Sequence, residues 1–315
     1  MRRKIVFRAD AGPSIGYGHF IRTLALADML KDDFDCVFYT QSPTDYQKSE
    51  LSKVCSYVSL PADDSRYQHF LDDLEGDEIV VLDNYFYTTD YQKMIKAMGC
   101  KLVCIDDMHD KHYVADVIIN HAITDESLFD CEPYTKLCLG FEYALLRKPF
   151  LIPHIEKKRN DDIVINFGGA DPYNITEHIV TLLLQLSIPY NIIVILGDKT
   201  FLSDYNRNKV IVKKNLSASQ MANLFENSAI GILSASSVCI EALSRNLPLI
   251  VGYYVDNQKF FYQELIKDNK IQALGYLQDT TSDLINDAFN KLDNNRPFVF
   301  PGNIQGRFIR TFRSI

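Results

Sequence analysis

Short apolar runs separated by amphipathic stretches recur along the whole 315-residue chain, and nothing else in the sequence constrains the fold as strongly. Residues 4–8 (KIVFR) read as a buried strand. Residues 20–30 follow as a helix, with Phe20, Leu24, Ala27 and Leu30 on one side. The same reasoning predicts strands over 36–40, 79–82, 101–105 and 117–120. Further strands are expected over 163–167, 191–196, 210–212, 229–233 and 249–253. Strands that alternate with helical segments form βαβ units and a parallel sheet. Their near-continuous apolarity predicts sheets covered by helices on both faces.

The length suits two domains of roughly 150 residues each. The break is expected near residues 145–162, where Pro149 and Pro153 stop regular structure ahead of the polar run 156–162. That gives a first domain over 1–150 and a second over 151–315. Asn174 with Glu177, and Ser217 with Gln220, resemble capping boxes at the starts of helices in the second half. Each half opens on a strand and a glycine-bearing loop. Open α/β sheets bind ligands at the carboxyl ends of their strands, so chemistry is expected in a cleft between the halves.

Composition narrows the function classes. With 47% hydrophobic and 23% charged residues, the chain is neither disordered nor collagen-like. A net charge of −8 without a long Lys/Arg run argues against a general nucleic-acid or anionic-membrane surface. Aliphatic runs such as 192–196 are too short to span a bilayer. Met1-Arg2-Arg3-Lys4 leads straight into an apolar strand, so no signal peptide is expected. Seven cysteines without a CxxC pair fit reduced thiols. A soluble cytoplasmic protein is the expectation.

Three loops could carry chemistry. The first is Gly12-Pro13-Ser14-Ile15-Gly16-Tyr17-Gly18-His19, between a strand and its helix. Gly16 and Gly18 let the backbone approach a ligand, and the helix start offers free N–H groups. Ile21 stands where a dinucleotide fingerprint needs its third glycine, which argues against NAD. His19, at the mouth of the expected cleft, is either a functional base or a capping, exposed histidine. The second loop is Asn166-Phe167-Gly168-Gly169-Ala170-Asp171, with Asn174 opening the next helix. Gly168 and Gly169 could admit a diphosphate or form an ordinary βα turn. The third runs through Ser234, Ser236 and Ser237 to Glu241. Hydroxyls at a helix start can bond phosphate oxygens. A carboxylate among apolar neighbours is costly without a partner, so Glu241 either grips ribose hydroxyls or lies on an exposed helix face. The acid-rich turn over 105–112 could suggest a metal, but it lacks recognisable ligand spacing and Lys111 would repel a cation; it reads as a loop that is polar because it is exposed or lines the cleft, and neither a metal nor a cofactor is expected. Asp83-Asn84-Tyr85 ends another strand and could also face the cleft.

Taken together, these residues resemble a known family. Phe7-Arg8-Ala9-Asp10, Ile15 to His19 and Arg22 are similar to the start of the UDP-2,4-diacetamido-2,4,6-trideoxy-β-L-altropyranose hydrolases of the pseudaminic acid pathway. The similarity continues, in order, through Asp83-Asn84-Tyr85, Asp106-Asp107, residues 140–147, Gly168-Gly169-Ala170-Asp171, Ser234-Ala235-Ser236-Ser237 and Glu241-Ala242-Leu243. That family is similar in turn to the lipid-II-forming N-acetylglucosaminyltransferase. The resemblance implies a GT-B-like α/β fold, two Rossmann-like domains with parallel sheets facing a central cleft. Its closing helix often returns to the first domain, which here would be the segment 302–309.

The resemblance also implies site roles. His19 would be the general base that activates water at the anomeric carbon, with inversion and C–O cleavage. Gly16, Gly18, Arg22, Asp83 and Tyr85 would line the substrate site of the first domain. Gly168, Gly169, Ser234, Ser236 and Ser237 would hold the diphosphate, Asn174 the nucleotide-sugar and Glu241 the ribose. Some relatives carry His where this chain has Asn84. UDP leaves readily once N–H dipoles and hydroxyls offset its charge, so one base can suffice without a metal. Imidazole suits that base because its ordinary pKa lies near neutrality. A GT-B glycosyltransferase with a UDP-sugar donor and a non-catalytic nucleotide-sugar-binding relative are the competing expectations.

Overall fold

The computed structural model describes residues 2–12, 16–153, 157–169, 171–197, 200–267, 269–292 and 299–315. It comprises one unit of Met1–Lys148 with Pro301–Ile315, and a second of Pro149–Phe300. The first unit holds β1 (Lys4–Ala9), the helix α1 (Gly18–Leu30), β2 (Asp35–Gln41), β3 (Ser56–Leu60), β4 (Ile79–Asp83), β5 (Lys101–Ile105), β6 (Val117–Asn120) and β7 (Lys136–Leu139). These strands form one seven-stranded sheet in the order β3-β2-β1-β4-β5-β6-β7. Every pairing in it is parallel. Ile5, Phe7, Val80, Val81, Leu102 and Val103 are buried, as a sheet covered on both faces requires. Phe20 carries α1 onto this sheet, its ring edge-on to Phe38 at 5.5 Å.

The strand order reverses between β1 and β4, which opens a crevice at their carboxyl ends. Ala9 and Asp83 are register partners there, so the loop before α1 and the end of β4 emerge side by side. The helix Ile304–Arg313 packs in the same unit. Phe308 and Phe312 are fully buried, Phe312 meets Phe34 at 6.3 Å, and Gln305 donates to the Met29 carbonyl at 3.0 Å.

The second unit holds β8 (Asp162–Asn166), β9 (Asn191–Leu196), β10 (Ile211–Lys214), β11 (Ile230–Ser234), β12 (Leu249–Tyr253) and β13 (Gln272–Tyr276). They form a parallel six-stranded sheet in the order β10-β9-β8-β11-β12-β13, with the reversal between β8 and β11. The loops after these two strands carry the glycine pair and the serines. The polar run expected to divide the chain is tied to this unit: the Arg159 guanidinium donates to the carbonyls of Phe225 (2.7 Å), Ser228 (3.0 Å) and Arg245 (2.8 Å).

Three strands, β3, β7 and β13, were not expected from the sequence, and each is a sheet edge. Most of their residues are exposed or half-buried, so none forms a continuous buried run. One expected cap differs as well. Asn174 precedes the helix Ile175–Gln185 in a left-handed conformation (φ 55°) and makes no side-chain cap. Asp171 caps the helix instead, its two oxygens accepting from the N–H groups of Ile175 (2.8 Å) and Thr176 (2.9 Å). Glu177 turns away to accept from Ser203 N–H and the Asn206 side chain. At Ser217 the capping box forms as expected, Gln220 N–H donating to the hydroxyl and Ser217 N–H to the Gln220 carbonyl oxygen.

Candidate active site

The carboxyl ends of β1, β4, β5 and β6 gather the titratable groups of the first unit. Residues 13–15 of the first glycine loop lie outside the described residues. Gly12 and Gly16, on either side, exchange backbone hydrogen bonds, which narrows the loop just before α1. His19 lies in the first turn of α1 and is only 6% exposed. Its Nδ1 lies 2.7 Å from Asp83 Oδ1. Asp83 ends β4 and is fully buried. Arg22 lies three residues beyond His19 on the same helix face. Its Nε and Nη2 donate to the two oxygens of Asp83 (2.7 and 2.6 Å), and Nη1 donates to Asp107 (2.9 Å). Thr23 adds a hydroxyl bond to Asp83 at 2.7 Å.

This geometry assigns the imidazole tautomer. Burial opposes ionisation of Asp83, but Arg22 and His19 outweigh it and hold the carboxyl well below the usual carboxylate range. An ionised Asp83 can only accept, so His19 Nδ1 carries the proton between them, and in the neutral imidazole the lone pair is then on Nε2. The Tyr85 ring stands edge-on to the imidazole at 4.6 Å, and its hydroxyl donates to Asp107 at 3.3 Å. The imidazole is thus held in one orientation by Asp83, Arg22 and Tyr85.

Two further residues belong to this cluster. Asp107 lies in the turn after β5. Burial works against its charge, but Arg22 and His19 lower its pKa. His121 directly follows β6, and its Nδ1 accepts the Leu145 N–H at 3.2 Å. Burial, then the Arg22 charge, press its pKa down to about 3, so it stays neutral. In the sequence Asp107 is only one residue of a polar turn, and His121 belongs to no motif. The available signal was position alone, since each follows the end of a strand beside the crevice. Asn84 accepts the Asp10 N–H at 2.8 Å, and Asp10 in turn accepts from Gln41 N–H (2.7 Å) and Arg8. That network braces the end of β1. Asp106 accepts from the N–H groups of Met108 and His109, which shapes its turn.

In the second unit the sites expected for a nucleotide also fall at strand ends. Gly168 has φ +91°, a conformation that favours glycine, and donates to Asn166 Oδ1 at 3.1 Å. A Cβ on Gly197 would meet the backbone of Gly169 at 2.3 Å, so the loops after β8 and β9 touch backbone to backbone. Ala170 lies outside the described residues. Ser234 is buried, Ser236 and Ser237 are half-buried, and the helix Ser237–Ser244 starts without a side-chain cap. Glu241 sits on that helix at 6% exposure, so it does not lie on an exposed helix face. Asn174 is exposed. The helix start behind Asn174 has two N–H groups occupied by Asp171, whereas the start at Ser237 keeps its side-chain hydroxyls free of any capping bond.

Among the described residues, Glu75, Asp77 and Glu78 are the acidic group close enough to surround a cation. The Glu78 carboxylate already accepts from Glu75 N–H (2.9 Å), Gly76 N–H (2.8 Å) and Lys4 (3.3 Å). No helix among the described residues is long and apolar enough to cross a membrane.

No family model matches the chain. Among curated proteins, it is 27% identical over 286 residues to an uncharacterized protein of Methanocaldococcus jannaschii, covering 84% of this chain but only 58% of that relative's length. It is 29% identical over 277 residues to the UDP-2,4-diacetamido-2,4,6-trideoxy-beta-L-altropyranose hydrolase of Campylobacter jejuni, covering 81% of this chain and 93% of the relative. Among solved structures, Acinetobacter baumannii MurG superposes with a TM-score of 0.67 at 13% identity, covering 99% of this chain and all of that one. The Anabaena HepE protein, solved with UDP-glucose, gives 0.65 at 12% identity, with 99% and 100% covered. The fold is that of the GT-B glycosyltransferases.

Proposed function

We propose that this chain hydrolyses a UDP-linked sugar, a 2,4-diacetamido-2,4,6-trideoxy sugar of the kind named for the Campylobacter jejuni relative, and releases UDP and free sugar toward pseudaminic acid synthesis. The observation that carries the reading is the His19–Asp83 contact at 2.7 Å, which leaves Nε2 as a lone-pair base. In the reaction, Nε2 takes a proton from water as the oxygen attacks the anomeric carbon. The bond from that carbon to the UDP oxygen breaks, the electron pair leaves with UDP, and the anomeric configuration inverts. General-base assistance of this kind contributes roughly 10²–10⁴ in rate.

In the second unit, Glu241 accepts from ribose hydroxyls, while the Ser236–Ser237 helix start and the loop of Gly168 and Gly169 hold the diphosphate. Helix N–H groups and hydroxyls offset the leaving charge without a metal. The reading places the protein in the cytoplasm, where nucleotide-sugars are made. The test is a panel of UDP-sugars incubated with the protein and no acceptor. UDP release with free sugar as co-product is expected; release only when a hydroxyl acceptor is added would make the chain a glycosyltransferase.

A further inference from the structure

The sequence reading gave Arg22 to the substrate, yet its guanidinium is turned inward. Its Nε and Nη2 serve both oxygens of Asp83, its Nη1 serves Asp107, and Nη2 also stands 3.1 Å from His19 Nδ1. The side chain is 7% exposed. We infer that Arg22 is a positioning residue for the base: with Asp107 as its counterweight, it sets the orientation of His19 and how readily the imidazole takes up a second proton.

The physical reason lies in what Asp83 would do alone. A buried carboxylate beside an imidazole favours the imidazolium, and a base that already holds its second proton cannot accept one from water. Arg22 offers Asp83 a cation of its own and brings a permanent like charge close to the ring. Its fork also fixes the plane of the Asp83 carboxylate, to which His19 Nδ1 donates. Asp107 pulls the other way. Its carboxylate is paired with Arg22 Nη1 and Tyr85, and its negative charge and the imidazole act on each other. The groups that act on the ring are therefore Arg22 from α1, Asp83 and Tyr85 from the end of β4, and Asp107 after β5, while His121 after β6 feels the same Arg22, Asp107 and Asp83 charges. His121 stays neutral and adds no charge to the balance.

Removing the two charges should move His19 in opposite directions, which a merely structural role would not do. The inference rests on His19 being the base of the proposed hydrolysis, so the first readout is independent of turnover. In the full chain with ¹⁵N-labelled histidine and no substrate, the His19 titration is followed by NMR. Arg22→Gln should move its midpoint to higher pH by roughly one unit or more, and Asp107→Asn should move it to lower pH. The acid limb of kcat should follow each shift, with KM changed little. Arg22→Lys keeps the charge but loses the fork, so it should restore the midpoint while kcat stays reduced.

If Arg22→Gln does not fold, Asp107→Asn decides alone, and an unchanged or raised midpoint overturns the inference. A rise in KM with no movement of either titration would return Arg22 to the substrate. Opposed shifts in a protein that cleaves no UDP-sugar would keep the charge balance and remove the hydrolase reading. Turnover without those shifts would do the reverse.

Discussion

The strand ends of the two units are polar in different ways. In the first, the polar groups are charged and satisfy one another: Asp83 accepts from His19, Arg22 and Thr23, and Arg22 reaches on to Asp107. In the second, the corresponding loops offer two glycines, three serines and one buried carboxylate, with the helix start at Ser237 lacking a side-chain cap. A pre-balanced charge network suits a proton transfer, because its dipoles are already arranged when charge develops. Small residues around an open helix start suit a ligand that brings its own charge. The contrast supports the proposal of chemistry in the first unit and nucleotide binding in the second, and each half of that proposal can be broken separately.

The largest effect is expected at His19. His19→Ala should lower kcat by roughly 10²–10⁴, the usual worth of a general base, while UDP affinity stays within a few-fold of wild type. The acid limb of the wild-type kcat profile should be absent from the residual rate. A loss of UDP affinity comparable to the loss of kcat would erase the division between the units.

Glu241→Gln reverses the pattern on a smaller scale. It keeps the shape of the side chain but weakens acceptance from ribose hydroxyls. A bond to a charged group is worth roughly 1.5–3 kcal/mol, so UDP should bind on the order of tenfold or more weakly. Calorimetry showing unchanged UDP affinity would take Glu241 out of the site.

Stability against pH sharpens the contrast further. His121 is buried neutral with its folded-state pKa pressed to about 3, below that of the unfolded imidazole. The unfolded chain therefore binds the extra proton first. The stabilisation is complete above pH ~6.5 and is lost as pH falls from there toward 3, by up to about 1.4 kcal/mol per pH unit. Asp83 is also depressed, and its share is lost only below the usual carboxylate range. Chemical denaturation at pH 7 and pH 4.5 should show the first unit weakening, and His121→Gln should flatten that slope. Equal weakening of wild type and variant would assign the acid sensitivity elsewhere. The smallest effect is expected from metal removal, since turnover should survive exhaustive EDTA treatment. Abolition by EDTA and rescue by Mg²⁺ would reopen the Asp106-Asp107 turn as a metal site.

How much of this was legible in the sequence depended on burial. The central strands β1, β4 and β8 are buried on both faces, so their apolar runs mark them plainly. The edges β3, β7 and β13 pack on one side only. A segment such as SYVSL, mostly exposed or half-buried, carries neither a long apolar run nor a regular alternation. His19 and Glu241 stand out in the sequence because a histidine after G-x-G and a carboxylate in an apolar helix start are locally unusual. The groups gathered near His19 are scattered through the sequence. Asp83, Asp107 and His121 come from three separate strand ends, and only the parallel sheet brings them together. Asn174 misled for a different reason. The Asn-x-x-Glu spacing fits a capping box, but Asp171, three residues upstream, reaches the helix start first and takes the N–H groups of Ile175 and Thr176.

The central claim is that water attacks carbon with His19 as its base, and isotope labelling tests it most directly. The preferred UDP-sugar is turned over in ¹⁸O-water and the released UDP is weighed by mass spectrometry. Attack at the anomeric carbon leaves UDP unlabelled, with every phosphate oxygen it carried as substrate. UDP that carries ¹⁸O would mean attack at phosphorus, and the role assigned here to the His19–Asp83 pair would be wrong.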